Sequence, residues 1–317
     1  MYVLGIESSC DETSAAVVEN GKKVLSCEVS SSLDFHKKYG GIVPEIASRM
    51  QLETITHVVD SALKKSGVSL KKIGLIGVTD QPGLLGSLLV GISFAKAISK
   101  TLNVPLLEVN HLHSHIYASF LDGQGARLPF IALIVSGGHT SLFFVSSFKK
   151  IKLLAQTHDD ACGEAFDKVA KILGLSYPGG PQIERLAKKG NPRKIKFGCS
   201  DTVSPLDFSF SGIKTAVLYC VQRDRYKTIR KADIAASFQE IVIDTLIKKS
   251  VLACKKYKIN RIVVGGGVAA NNRLREKFRQ AAQLEKLQVC FPSKAFCMDN
   301  AAMVAGLAGA LVSRKEA

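Results

Sequence analysis

At 317 residues the chain is longer than one hydrophobic core usually serves and has the length of two domains of roughly 150 residues each. Hydrophobic residues make up 46% and charged residues 22%, which excludes disordered, fibrous and coiled-coil classes. Lys and Arg number 43 against 27 Asp and Glu, and the net charge of +16 suits a polyanionic partner or, equally, a solvated Lys-rich surface, since the cations come mostly as scattered pairs such as Lys71-Lys72 and Lys149-Lys150.

Cys10, Cys27, Cys162, Cys199, Cys220, Cys254, Cys290 and Cys297 never form a C-x-x-C pair, which argues against a zinc ribbon or a thioredoxin motif. Met1 to Gly5 enter a strand-like run with no charged leader or cleavage site, and no apolar stretch reaches about 18 uninterrupted residues. The expectation is a reduced, soluble, cytoplasmic protein that does not use a membrane.

Val3 to Ile6 reads as a buried strand, Glu7 to Thr13 as a polar turn, and Ser14 to Val18 as a second strand. Residues 45–65 follow as an amphipathic helix, with Ile46, Met50, Ile55, Val58, Val59 and Ala62 approximating one face. Ile73 to Thr79 is a strand that leads through a glycine-rich turn into a helix over Gly83 to Ser99. Pro105, Gly123, Gly125 and Pro129 then punctuate the chain, and the domain boundary is placed here, giving lobes 1–115 and 116–317.

The opening pattern returns in the second half. Ile131 to Val135 is a β-rich run, Ser136 to Thr140 a Gly-Gly turn, and Ser141 to Val145 a resumed strand. After an amphipathic helix over 232–256, Arg261 to Val264 leads through Gly265-Gly266-Gly267 into a helix from about Asn272. Asn300 to Val312 is small and apolar at nearly every position and reads as a helix buried on most sides, with Asp299 at or near its N-cap, a candidate to pack back toward the first lobe. Such duplication implies an α/β protein of two similar lobes with a cleft between them; one continuous sheet is the alternative.

His111, His113 and His115 form the densest cluster of potential ligands. The continuation Ile116 to Leu121 favours a helix, on which His111 and His115 share a face and His113 points away; on a strand all three would share one. Two imidazoles at i, i+4 can bind one divalent metal, or can be hydrogen-bonded histidines at a domain joint. No Glu follows His111, so the H-E-x-x-H peptidase signature is absent, and Asp299 is a candidate third ligand from its position alone. Three turns could cradle phosphate through backbone N–H groups: Ser136 to Thr140, Tyr177-Pro178-Gly179-Gly180-Pro181, and Gly265 to Val268. None has Rossmann or P-loop spacing, but their spread over a duplicated α/β frame favours nucleotide binding.

Over almost its whole length the chain resembles the bacterial tRNA threonylcarbamoyladenosine synthesis proteins of the TsaD type, formerly grouped as O-sialoglycoprotein endopeptidases. The matching segments are Gly5 to Thr13, Gly40 to Arg49, Val135 to Thr140, Gly163 to Lys168, Tyr177 to Pro181, Asp207 to Gly212 and Gly266 to Asn271. The resemblance implies the two-lobed actin/Hsp70/sugar-kinase fold with duplicated ribonuclease H-like domains, and transfer of threonylcarbamoyl from threonylcarbamoyl-AMP to N6 of the adenosine beside the anticodon of tRNA. It also implies His111, His115 and Asp299 as ligands of one metal, Fe2+ with Zn2+ as the alternative, and Val135, Ser136, Gly137, Gly138, His139, Asp167, Gly180, Glu184 and Asn271 as substrate-nucleotide contacts. A shorter TsaB-type paralogue and a TsaE-type P-loop ATPase are the implied protein partners; the helix over residues 45–65 is a candidate docking face for the former, or its apolar stripe is equally internal core. His111-Leu112-His113-Ser114-His115 keeps both ligands of the family's H-x-E-G-H and changes its middle, and Gln81 stands where a glycine is common, at a cost if that position needs φ > 0.

An activated donor with AMP as leaving group needs no covalent nucleophile, so positioning and charge stabilisation should dominate, with Asp11 and Glu12 as candidate general bases. The rivals are an ATP-dependent sugar kinase on the same fold, which has no need of a His-His-Asp site, and a non-catalytic scaffold of a tRNA-modification complex, in which that site would be degraded.

Overall fold

The computed structural model describes residues 1–121, 123, 125–200, 202–222 and 229–313. The chain divides into two compact units, Met1–Gly125 with Ser147–Ile151 and Pro292–Ala317, and Ala126–Ser146 with Lys152–Phe291. From sequence the break falls between 115 and 116; in the structure the first unit runs on to Gly125 and recovers the chain again from Pro292.

The first unit is built on β1 (Tyr2–Glu7), β2 (Glu12–Glu19), β3 (Lys23–Ser31), β4 (Ile73–Gln81) and β5 (Leu106–Asn110), in the order β3-β2-β1-β4-β5. β1, β2 and β3 pair antiparallel, and β4 and β5 continue in parallel. Both faces of β1 and β2 are covered, so their apolar runs are nearly continuous rather than alternating. Around the sheet lie α1 (Leu33–Lys37), α2 (Pro44–Ser66), α3 (Leu85–Leu102), α4 (His111–Leu121) and α10 (Ala301–Val312).

One face of the sheet packs Leu4, Ile6, Ala15 and Val17 against Ile55, Val58, Val59 and Ala62 of α2. Each such fully buried aliphatic contributes about 1.5–3 kcal/mol. Upstream of these, Ala47 and Gln51 are buried while Ile46 and Met50 are only half-buried, so the stripe expected from periodicity is rotated at its start. The other face carries α10. A Cβ on Gly5 would lie 2.2 Å from the Ala301 carbonyl oxygen, and one on Gly77 would lie 2.8 Å from Ala308 Cβ. The small residues of α10 and these two glycines therefore belong to one solution, a helix lying backbone-close on the sheet. Gln81 closes β4 opposite Asn110 and has no positive φ, so the strain considered for that position is absent.

The second unit repeats the plan with β6 (Phe130–Val135), β7 (Thr140–Ser147), β8 (Lys150–Gln156), β9 (Arg261–Gly265) and β10 (Gln288–Cys290), ordered β10-β9-β6-β7-β8. β6 and β7 form the antiparallel hairpin, and β9 and β10 add in parallel. Read from β8, the path is that of the first sheet read from β3: a duplicated ribonuclease H-like unit. Its helices are α5 (Cys162–Ile172), α6 (Gly179–Ala187), α7 (Ser211–Gln222), α8 (Lys231–Tyr257) and α9 (Asn272–Leu284), and Phe208, Phe210, Phe238 and Phe278 are among its fully buried side chains.

Candidate metal centre and nucleotide cradle

In the first unit α4 begins directly at the end of β5. The Asn110 side chain accepts hydrogen bonds from the Leu112 and His113 N–H groups at 2.9 and 3.1 Å, capping the helix so that His111 opens its first turn. His111 and His115 then share a face, their rings 4.6 Å apart, and both are buried. Asp299 meets them from the residue preceding the cap of α10. Its Oδ1 lies 3.0 Å from His115 Nε2 and 3.6 Å from His111 Nε2. The three ligand atoms fall within 4.8 Å of one another, and His113 is outside the group. The cap of α10 is Asn300, whose Oδ1 accepts from the Met303 N–H at 3.1 Å; Asp299 is not the cap, which leaves its carboxylate to the histidines.

The far side of His111 is fixed by a residue that sequence did not single out. Glu7 ends β1 fully buried; its Oε1 accepts from the Ser9 N–H at 2.6 Å, and its Oε2 accepts from the Thr79 hydroxyl at 2.6 Å and faces His111 Nδ1 at 3.1 Å. A carboxylate there requires the proton on Nδ1 and turns the Nε2 lone pair toward Asp299. Burial opposes protonation of His111, but the carboxylates of Asp299 and then Glu7 outweigh it and push His111 up to about 9. Burial would likewise raise Glu7, yet the His111 charge and hydrogen bond hold it below the usual carboxylate range. Two imidazole nitrogens and an anionic oxygen thus converge on one point that only a proton or a cation can occupy without repulsion. The two-His, one-carboxylate donor set, with sides left open, fits a divalent first-row ion.

The β1–β2 turn supplies the neighbouring acids. It is held by buried Gln51, whose Nε2 donates toward the carbonyl oxygens of Cys10 at 2.9 Å, Glu12 at 3.1 Å and Ser8 at 3.3 Å. Burial, then the carboxylates of Asp299 and Asp11, push Glu12 up to about 10. Asp11 is buried beside it and is hydrogen-bonded to it.

In the second unit the residues expected to contact nucleotide form one connected group. Ser136 to His139 close the β6–β7 turn: the Ser136 N–H donates to the His139 carbonyl at 2.8 Å and the His139 N–H to Ser136 Oγ at 3.1 Å, leaving Gly137 and Gly138 exposed with open space on their Cβ sides. Gly266, at φ +88°, runs against Val135, whose carbonyl oxygen would lie 2.4 Å from any Cβ there. Asp167 of α5 accepts from the Gly179 N–H at 2.7 Å and also binds the Gly180 N–H, tying down the first turn of α6; burial nevertheless raises its pKa. Glu184 of α6 accepts from Asn272 Nδ2 at 2.6 Å and from its N–H at 3.0 Å. Asn271 caps α9 through the Leu274 N–H and donates to the buried Gln239 at 2.9 Å. A cavity of about 320 Å³ opens where Glu184, Gln239, Asn272 and Arg273 meet. Of the three glycine turns only Gly137-Gly138 is exposed, the arrangement by which a turn can offer backbone N–H groups to an anion.

The family model for tRNA N6-adenosine threonylcarbamoyltransferase, TsaD, matches residues 23–306. The chain belongs to this family. A relative from Clostridium kluyveri bearing that name is 50% identical over 312 residues, covering 97% of this chain and 92% of its own, and one from Symbiobacterium thermophilum is 50% identical over 304 residues, covering 96% and 89%. Among solved structures, component A of the (R)-2-hydroxyglutaryl-CoA dehydratase of Acidaminococcus fermentans aligns with a TM-score of 0.58 at 14% identity over 98% of both chains. Full-length HypF in a phosphate- and nucleotide-bound form aligns at 0.64 and 16% identity, over all of this chain and 47% of its own. Such identities establish the fold alone, that of the actin/Hsp70/sugar-kinase class.

Proposed function

We propose that this TsaD-family chain transfers threonylcarbamoyl from threonylcarbamoyl-AMP to N6 of the adenosine 3′ to the anticodon, position 37, in tRNAs reading codons that begin with adenine, and releases AMP. The observation that carries this reading is half identity to relatives of that name over 97% of the chain. His111, His115 and Asp299 would hold one divalent cation, Fe2+ on family grounds, with Zn2+ suited to the same donors. Bound there, the cation supplies Lewis-acid polarisation and a template for oxygens of the donor. The Gly137 and Gly138 N–H groups of the Ser136–His139 turn would hold phosphate oxygens, with Gly180, Asp167, Glu184 and Asn271 shaping the helix starts beside them. As N6 attacks the carbamoyl carbon, the new C–N bond forms, the bond from that carbon to the phosphate oxygen breaks, and AMP leaves with the electron pair. Asp11 or Glu12, the two carboxyl groups of the β1–β2 turn, would accept the proton lost from N6.

The reaction is assigned to the cytoplasm, with a TsaB-type paralogue and a TsaE-type ATPase as partners. The apolar face where Leu52 of α2 and Leu85 and Leu89 of α3 stand exposed, beside a cavity of about 340 Å³, supports docking of the paralogue, and Leu52→Glu should abolish co-purification if it does. The central test is AMP release from threonylcarbamoyl-AMP by metal-loaded protein with its partners. Release that requires tRNA supports transfer; a tRNA-independent transfer of phosphoryl from ATP to a sugar would replace it with the kinase reading.

A further inference from the structure

From α6 to α8 the chain carries Arg185, Lys188, Lys189, Arg193, Lys194 and Lys196 within twelve residues that contain no acid, and all six are exposed. The segment is not a loose loop. The Asn191 N–H donates to Asp233 Oδ1 at 2.7 Å and the Ile195 N–H to Ser237 Oγ at 3.2 Å, and both acceptors are buried side chains in the first two turns of α8. Just before these two donors Gly190 meets α8 backbone to backbone: a Cβ there would lie 1.9 Å from the Ala232 carbonyl oxygen. The polypeptide is thus strapped onto α8 by groups that point inward, and every cation is turned outward.

What sets the strap apart is its density, six cations in twelve residues with no acid among them. Lys168 is paired with Asp160 and Glu164, Lys255 with Glu285, and Arg273 and Lys277 with Glu240, whereas among the described residues none of the six strap cations forms an ion pair within 4 Å. Asp233 of α8 feels the charge of Lys194 but is ion-paired with Arg230 at 2.9 Å. A fixed backbone that holds six cations with no ion pair within 4 Å among the described residues concentrates positive charge, and a polyanion that binds it gains by releasing its own counterions. Lys188 and Pro192 also line the 320 Å³ cavity beside Glu184 and Asn272, so the strap adjoins the nucleotide cradle of the same unit.

We propose that this strap is a docking surface for the sugar-phosphate backbone of the tRNA, a reading that rests on the proposed function and adds where the unit holds its substrate. The test compares wild type, a strap variant (Arg193→Glu, Lys194→Glu, Lys196→Glu together) and a control with two exposed cations changed elsewhere on the unit (Lys256→Glu, Lys258→Glu), all metal-loaded. Binding of labelled tRNA is followed by fluorescence anisotropy across a salt series. The strap variant should lose about tenfold or more in affinity at low salt, and the slope of log affinity against log salt should shrink by about 2 to 3, one step for each phosphate contact removed. Its melting temperature and metal content should match wild type, and AMP release should recover at raised tRNA concentration. A strap variant that binds tRNA within about twofold of wild type with the same slope overturns the strap alone, as does an equal loss in the control. Wild-type protein that binds no tRNA overturns the functional reading beneath it.

Discussion

Replacing Glu7 by Gln asks how much of the candidate metal centre depends on one buried carboxylate. Three donors, the Ser9 N–H, the Thr79 hydroxyl and His111 Nδ1, converge on its two oxygens, and the side chain is fully buried. A Gln amide keeps one acceptor. If that oxygen stays with Ser9, an NH2 group faces Thr79 and His111; the threonine hydroxyl can rotate to accept, but His111 can accept at Nδ1 only by moving its proton to Nε2, the atom needed for a metal. If the amide flips, the Ser9 N–H is orphaned instead. Losing one hydrogen bond to a charged acceptor costs about 1.5–3 kcal/mol. The same change made behind a metal-binding histidine typically lowers metal affinity by about 10- to 100-fold, or about 1.4–2.7 kcal/mol. Chelator competition with Zn2+ reads the affinity, and thermal unfolding of metal-free protein shows whether the fold is intact. Thr79→Val, which removes one donor and leaves the carboxylate, should lose less. A folded Glu7→Gln protein binding Zn2+ within about twofold of wild type would refute the coupling.

His111→Ala and His115→Ala should each remove the metal and nearly all transfer, while His113→Ala, outside the ligand group, should keep both; elemental analysis of the three purified variants decides it. Asp299→Asn should weaken metal binding, whereas Asn300→Ala should lower metal-free stability by about 1 kcal/mol with metal affinity retained, because the helix cap is Asn300. Asp159 is raised by burial but held below its usual range by Ser209, the Phe210 and Ser211 N–H groups and the Ser211 hydroxyl. Its stabilisation is therefore present above the unfolded value near 3.8 and is lost as pH falls through the lower folded value. Urea midpoints measured from pH 6 down to pH 2 should converge for wild type and Asp159→Asn at the acid end, and parallel curves would count against it.

What the sequence exposes most plainly is whatever is local. The two hairpins show because apolar runs interrupted by a small polar turn can do little else, and β4–α3 and β9–α9 show because glycine separates a period of two from a period of 3.6. α4 is legible for the same reason, and with it the shared face of His111 and His115. The rest of the site is non-local. His115 and Asp299 are 184 residues apart, and no periodicity links them; Asp299 stands out only by its place before the last helix and by family resemblance, and the reason they meet lies in packing. α10 reaches its place only because Gly5 and Gly77 let it lie on the sheet, and the Ala301 N–H is taken by Ser14 Oγ at 2.9 Å. That contact and the Asn300 cap set where the helix begins, and so leave Asp299 just outside it, facing α4. Glu7 and Gln51 were illegible for a related reason: a carboxylate at a strand end and an amide on a helix face look like surface residues until burial shows that each satisfies several partners at once. The ligand positions are thus set by residues that touch no substrate, which is why changes at Glu7 and Asn300 separate metal affinity from helix stability where a ligand substitution alone mixes the two.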